Sequence, residues 1–241
     1  MVTRCDSCPL RRRSLFTVLS DEEVRATQRF KVGELTVEAG TPILTQHAHS
    51  AQVFTVLSGV GLRHKTLPDG RRQVLSFLFP GDLIGLQAAV MGEMSHTVEA
   101  RSPMRLCVFD RAGLWDFFKA APGRAYDLIW IAATEEHFLG EALVTVGQRT
   151  AEEAVAWALV RVWRRGAALE MVDEMSMPMP FRQQDLADAL GLSLVHTNKT
   201  LAKFRDRHLA VWREGRLMVS DLDALARIGL VSGGGAERPL L

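Results

Sequence analysis

The hydrophobic pattern of this chain changes its period near Arg111, and this change limits what each half can form. Before Arg111, short runs alternate apolar and polar residues or are rich in β-branched residues, and each run is followed by Gly, Pro, Asp or Ser. These runs are LTVEA, QVFTVLSG, GLRHKTL, RRQVLSFLFPGD, HTVEARS and MRLCVFD. After Arg111 the apolar residues recur at helical spacing. The pattern predicts a β-sandwich or barrel followed by a helical half.

Local signals place turns and helix starts within this plan. The sequence Leu67-Pro68-Asp69-Gly70 predicts a hairpin turn, because Pro presets φ and Gly accepts a positive φ. A Ser or Thr followed three residues later by Glu is the pattern of a capping box. Such boxes predict helices at 20–29 and 150–165.

Composition limits the class of protein. The 241 residues are 47% hydrophobic with a net charge of +1, which suits one or two compact domains. No apolar run approaches the roughly 18 residues of a membrane-spanning helix, and no secretory signal is visible, so we expect a cytoplasmic protein that does not contact a membrane. Three cysteines, an odd number, argue against a secreted disulfide framework.

One long helix is predicted between Ala125 and Val146. Six residues in alternating steps of four and three form a narrow stripe along this helix, which predicts a dimer seam. The alternative is that the helix packs on its own domain. The stripe consists of Leu128, Ala132, Glu135, Leu139, Ala142 and Val146. Glu135 would need a partner or water in such a seam. Gly147 then predicts a hinge.

The segment from Phe181 to Asp221 has the spacing of a helix-turn-helix followed by a β-wing. A helix at 183–190, a turn at Gly191 and a second helix capped by Ser193 form the unit. A basic helix face is often only solvated, but the turn, cap, apolar spacing and wing agree here. The predicted DNA-contacting residues are Arg182, Ser193, Val195, His196, Asn198, Lys199, Lys203 and Arg205. Arg207, Arg213 and Arg216 are further candidates for phosphate contacts.

These motifs in this order resemble the CRP/FNR family of transcription regulators over nearly the whole chain. The resemblance is carried by SGVGLRHKTLPDGRRQVLSFLFPGDLIGL, RTAEEAVAWAL and FRQQDLADALGLSLVHTNKTLAKF. It implies an α+β fold with an N-terminal β jelly roll like a cyclic-nucleotide-binding domain (1–121), a long dimerisation helix and hinge (122–147), and a winged helix-turn-helix (148–241). It also implies a homodimer on a pseudo-palindromic operator in double-stranded DNA, with RNA polymerase as a partner.

Several residues of this chain depart from the family pattern at positions that concern the ligand and the operator. Cyclic AMP receptors hold the ribose with Glu and the cyclic phosphate with an Arg-Ser pair, whereas this chain has Leu86 and Met94 at the positions of Glu and Arg. Cyclic AMP binding is therefore not expected. Val195, Asn198 and Lys199 also differ from the usual reading residues, so the operator is left open.

All three cysteines coincide with ligand positions of the oxygen-sensing FNR branch, which holds a 4Fe-4S cluster. Cys5 and Cys8 form a C-x-x-C motif, and Cys107 falls at the position of the last ligand. The remaining family cysteine is replaced at Ser14 or Phe16, depending on the family spacing used. A cluster would need a fourth, non-cysteine ligand such as Asp6, His47, His49 or Asp110, which the sequence does not rank, or solvent.

Other interpretations of the cysteines stay open. Cys5 and Cys8, among four arginines, also suit a metal-free dithiol switch, and Cys107 in an apolar strand suits a buried small side chain. The regulator would then sense redox state through thiols, respond to an unidentified small molecule, or act constitutively. A catalytic dithiol is disfavoured, because the C-x-x-C precedes all regular structure instead of opening a helix after a strand. We therefore expect no enzyme activity.

Overall fold

The computed structural model describes residues 2–231 and residue 238. Its N-terminal half contains two four-stranded antiparallel sheets, ordered β1-β8-β3-β6 and β2-β7-β4-β5. The strands are β1 (Lys31–Val37), β2 (Pro42–Leu44), β3 (Gln52–Ser58), β4 (Gly61–Thr66), β5 (Arg72–Leu78), β6 (Leu83–Ile84), β7 (Thr97–Ala100) and β8 (Met104–Asp110). Apolar side chains from both sheets, such as Val56, Val98 and Leu106, form a common core. The predicted jelly roll is confirmed.

Each of the six predicted runs contains or overlaps a strand, but the sequence pattern missed β2 and β6. These two strands have only three and two residues, too few to show alternation.

The helices are α1 (Asp21–Phe30), α2 (Leu86–Met91), α3 (Leu114–Ala120), α4 (Pro122–Gln148), α5 (Ala151–Ala168), α6 (Gln183–Leu190), α7 (Leu194–Asp206) and α8 (Leu222–Ile228). Both predicted capping boxes are present, at the first residues of α1 and α5. In the first box, Glu23 accepts a hydrogen bond from the Ser20 backbone N–H at 2.8 Å. Pro122 opens α4, where its missing N–H costs no helical hydrogen bond.

At three positions of the seam predicted on helix α4, the side chain is buried or only partly exposed in the single chain. Leu128 is 6% exposed and packs in a core with Phe30, Phe117 and Ile131, so it faces its own domain. Glu135 bonds Arg63 of the same chain at 2.6 Å. The exposed stripe instead comprises Ile129, Ala132, Glu136, Leu139, Leu143 and Val146. This stripe shares Ala132, Leu139 and Val146 with the predicted seam. Its other three positions each lie one residue after a predicted one, as Leu143 does after Ala142. The sequence fits both stripes, because apolar side chains occur on both sides of this helix.

The C-terminal half contains the predicted winged helix-turn-helix. Gly191 joins α6 to α7 in the left-handed conformation, with φ of 65°, which Gly accepts without strain. Leu186 and Phe204 are fully buried between the helices. The wing strands β10 (Ala210–Arg213) and β11 (Arg216–Val219) pair with β9 (Ser176–Pro178) in the order β10-β11-β9.

The described residues divide into two compact units. The first contains residues 2–66, 77–136 and 238, and the second contains residues 67–76 and 137–231. The second unit thus includes the turn between β4 and β5 together with the helix-turn-helix. None of the helices in the described part of the chain combines the length and apolar character needed to cross a membrane.

Candidate nucleic-acid interface and thiol cluster

Helix α7 has the features of a recognition helix. Ser193 caps its first turn, since its Oγ accepts a hydrogen bond from the His196 backbone N–H at 3.2 Å. Thr197 and Thr200 are buried and bond backbone carbonyls one turn earlier. This inner face fixes α7 against the unit and turns its other side towards solvent.

All eight predicted DNA-contacting residues are exposed in the second unit, including Arg182 at the start of α6. On the first two turns of α7, Val195, His196, Asn198 and Lys199 form a continuous exposed group. Their chemistry suits base edges in a major groove: Asn can pair with adenine, Lys with guanine or phosphate, and Val with a thymine methyl.

The cations at the end of α7 differ from Lys199 in having carboxylate partners. Glu152 lies 2.5 Å from Arg207 and 3.8 Å from Lys203, and Asp206 lies 2.8 Å from Arg205. Lys199 forms no ion pair with any residue that the structure describes. The sequence pattern does not single out Glu152, because its neighbour Glu153 carries the capping signal.

Helix α6, the first helix of the helix-turn-helix, also carries an ion-pair cluster. Arg72 contacts Asp185 at 2.7 Å and Asp188 at 2.8 Å, and all three belong to the second unit. The Asp185 side chain is fully buried, and it also accepts the backbone N–H of Arg182 at 2.9 Å. Arg72 therefore compensates a buried charge at the start of α6.

The three cysteines meet in the first unit. Cys5, Cys8 and Cys107 line one cavity of about 30 Å³, whose other walls are mostly apolar. The N-terminal segment is held there because the Cys5 N–H donates to Gln28 at 2.7 Å and the Thr3 N–H donates to Glu34 at 2.9 Å. The thiols are half-buried and form no disulfide. The fold thus brings Cys107 close to Cys5 and Cys8, although about a hundred residues separate them in sequence.

Burial dominates the electrostatics of this cluster. It raises the pKa of Cys5 to about 11, against the opposing effect of the Lys31 charge, and it also raises the pKa of Cys107. The Lys31 side chain is 2% exposed and donates to the Thr3 carbonyl at 2.6 Å and to Glu34 at 2.8 Å. At neutral pH the Cys5 thiol is therefore protonated in the folded chain.

The residues around the cavity do not complete a 4Fe-4S site. Among the predicted fourth ligands, Asp6 pairs with Arg4, Asp110 accepts the Ala112 N–H, and His49 bonds the Gly92 carbonyl. His47 lies 4.0 Å from Glu93. None of these four candidates lines the cavity, which has room for about one or two water molecules. Within the described part of the chain, no group of three or more His, Cys, Asp or Glu is arranged to hold a metal ion.

Comparison with known proteins agrees with this geometry. Residues 34–121 match the family described as Cyclic nucleotide-binding domain, and residues 153–228 match the Crp-like helix-turn-helix domain. The transcriptional activatory protein AadR of Rhodopseudomonas palustris is 33% identical over 72% of this chain and 73% of its own length. The transcriptional activator protein FnrL of Cereibacter sphaeroides is 26% identical over 92% of this chain and 90% of its own length. The structure of FixK2 from Bradyrhizobium japonicum superposes with a TM-score of 0.74 at 23% identity, covering 83% and 98% of the two chains.

The fold and the exposed recognition helix define a winged-helix transcription regulator with a domain of the cyclic-nucleotide-binding type. The chain belongs to the CRP/FNR family, in its FNR-like branch. It is therefore a DNA-binding regulator and not an enzyme, as predicted. Regulators of this family bind DNA and act as dimers.

Proposed function

We propose that this chain acts as a homodimer that places two α7 helices in successive major grooves of a pseudo-palindromic operator and regulates transcription with RNA polymerase as its partner. The observation that carries the proposal is the exposed group Val195, His196, Asn198 and Lys199 at the start of α7. The exposed stripe of α4 supports the dimer, because five of its six side chains are apolar and suit a second copy of the same helix; the sixth is Glu136.

The test of DNA reading is a binding titration on a duplex that the wild-type protein selects from a random pool. Lys199→Ala should weaken binding to this duplex by about 1–3 kcal/mol if Lys199 contacts a base, and should also relax the selected sequence at that position. Lys119→Ala is the matched control, since it removes an equal charge from an exposed position of α3. Wild-type protein that enriches no sequence and binds without salt dependence would rule out the proposed function.

The proposed signal is the oxidation state of the thiol cluster formed by Cys5, Cys8 and Cys107. Two of these thiols give up two protons and two electrons to an oxidant, such as a peroxide or a small disulfide, when they form a disulfide. Their shared cavity supports this step, whereas the raised pKa of Cys5 slows it at neutral pH, because the thiolate is the reactive form. The sensor would then respond to sustained oxidation.

A 4Fe-4S cluster is the second candidate, favoured by the convergence of all three cysteines. It would need a fourth ligand in addition to these thiols. Cyclic AMP is not proposed as the ligand, since Met94 is fully buried in the jelly-roll core and supplies no cation for a phosphate.

Purification without oxygen, followed by iron and sulfide assays, tests the cluster directly. A colourless, iron-free protein whose DNA affinity changes on oxidation would favour the thiol sensor. A Cys5→Ser variant should lose that change, and Cys5→Ser with an unaltered response would rule out a role for Cys5.

A further inference from the structure

Glu152 and Glu153 lie side by side in the first turn of α5 but have different partners. The Glu153 carboxylate accepts the Thr150 backbone N–H at 2.8 Å and completes the helix cap. Glu152 takes no part in the cap. Its carboxylate instead contacts the end of α7, at 2.5 Å from Arg207 and 3.8 Å from Lys203. One acidic side chain thus holds two cations of the recognition helix.

The two cations are placed where a phosphate could reach them. The side chains of Lys203 and Arg207 are 65% and 51% exposed, and Glu152 itself is 34% exposed. Ion pairs at such exposure are weak, so a DNA phosphate can compete with the carboxylate. Lys199, about one turn before Lys203 on the same helix, has no such competitor among the described residues.

We propose that Glu152 limits the affinity of this regulator for DNA of any sequence by occupying Lys203 and Arg207 in place of phosphate. The inference rests on the proposed function, since it concerns the same recognition helix. Cations that neutralise phosphates release counterions and bind every sequence alike. Holding two of them back lowers the affinity for non-specific DNA, and recognition then depends more on the base contacts at the start of α7.

The test is Glu152→Gln, which keeps the size of the side chain and removes its charge. The probes are a labelled duplex of scrambled sequence and the duplex selected by the wild-type protein. At low salt, Glu152→Gln should bind the scrambled duplex roughly three- to tenfold more tightly, as expected from losing two exposed ion pairs. The slope of log Kd against log salt should steepen by about 1 to 2, one step for each cation released.

Two controls separate this effect from a general change in charge. Asp223→Asn removes one negative charge from an exposed position in the same unit and should leave the salt slope unchanged. Adding Arg207→Gln and Lys203→Gln to Glu152→Gln should abolish the gain, because the cations that carry it are gone.

The proposal is overturned if Glu152→Gln leaves the affinity and the salt slope unchanged or weakens binding. It is also overturned if the gain survives removal of both cations, or if Asp223→Asn reproduces it. Failure of the proposed function has a different signature: wild-type protein then enriches no sequence from the pool. The salt comparison on the scrambled duplex still decides the role of Glu152 in that case.

Discussion

At the scale of single residues, His96 is a buried ionisable group that the sequence pattern did not single out. It is 8% exposed and immediately precedes β7. Burial lowers its pKa to about 4, and the nearby charges of Arg63, His64 and Lys65 on β4 act in the same direction. His96 is therefore neutral in the folded protein at pH values where an unfolded chain would bind a proton.

This difference makes the stability of the first unit depend on pH. Below about pH 6.5 the unfolded state binds a proton that folded His96 does not, so stability is complete above that pH and falls towards pH 4. Because of this group, we expect the free energy of unfolding of the wild-type protein to be about 2 kcal/mol lower at pH about 5 than at pH about 7. His96→Gln should lack that loss in urea unfolding at the two pH values. The exposed His137→Gln is the control, and an equal loss in His96→Gln would contradict the assignment.

The pKa of Glu34 is also lowered, but by a different cause. Burial alone would raise its pKa, but hydrogen bonds from Lys31, Arg105 and the Thr3 backbone outweigh burial and lower the pKa to about 2. Its contribution to stability is present above about pH 4.5 and is lost as the pH falls towards 2. Because this range lies below that of His96, the two groups act in separable pH windows.

At the scale of elements, α4 has two sides with different roles. Leu143 is 75% exposed on the stripe proposed as the dimer seam, whereas Leu128 lies in the core of the first unit. Leu143→Glu should weaken dimerisation more than tenfold, because two like charges would face each other across a two-fold seam, while the thermal midpoint of the subunit changes little. Sedimentation equilibrium measures the dimerisation constant.

Leu128→Ala is the matched comparison on the same helix. It should lower the free energy of unfolding by about 2–5 kcal/mol, because it leaves a cavity among aromatic side chains. If Leu128→Ala weakened dimerisation and Leu143→Glu did not, the result would favour the seam predicted from the sequence.

The sequence was sufficient for elements whose signals are local. Capping boxes at Ser20 and Thr150, the Gly191 turn and the alternating strands appear where they were predicted, since each depends on residues a few positions apart. The side of α4 that faces the core could not be predicted, because apolar residues fit two adjacent stripes. Contacts such as Arg63 with Glu135 and Glu152 with Arg207 join residues far apart in sequence, and only the fold reveals them.

At the scale of the whole molecule, the order of residues along the chain differs from their grouping in space. Residues 67–76 lie within the jelly-roll part of the sequence, yet they belong to the second compact unit. Arg72 binds the buried Asp185 and the neighbouring Asp188, and the Gln73 amide donates to the Ala189 carbonyl at 3.1 Å. A substitution at the start of β5 should therefore affect helix α6, more than a hundred residues away in sequence.

Arg72→Gln tests this coupling. It removes a cation that contacts the buried Asp185 carboxylate, which should destabilise the second unit by about 3 kcal/mol. Amide hydrogen exchange followed by mass spectrometry should show faster exchange in Gln183–Leu190, the residues of α6. Arg71→Gln is the neighbouring control, because Arg71 is 78% exposed and pairs with Asp69, two residues away in the same turn. Equal exchange rates in α6 for the two variants would show that Arg72 does not stabilise the DNA-reading unit.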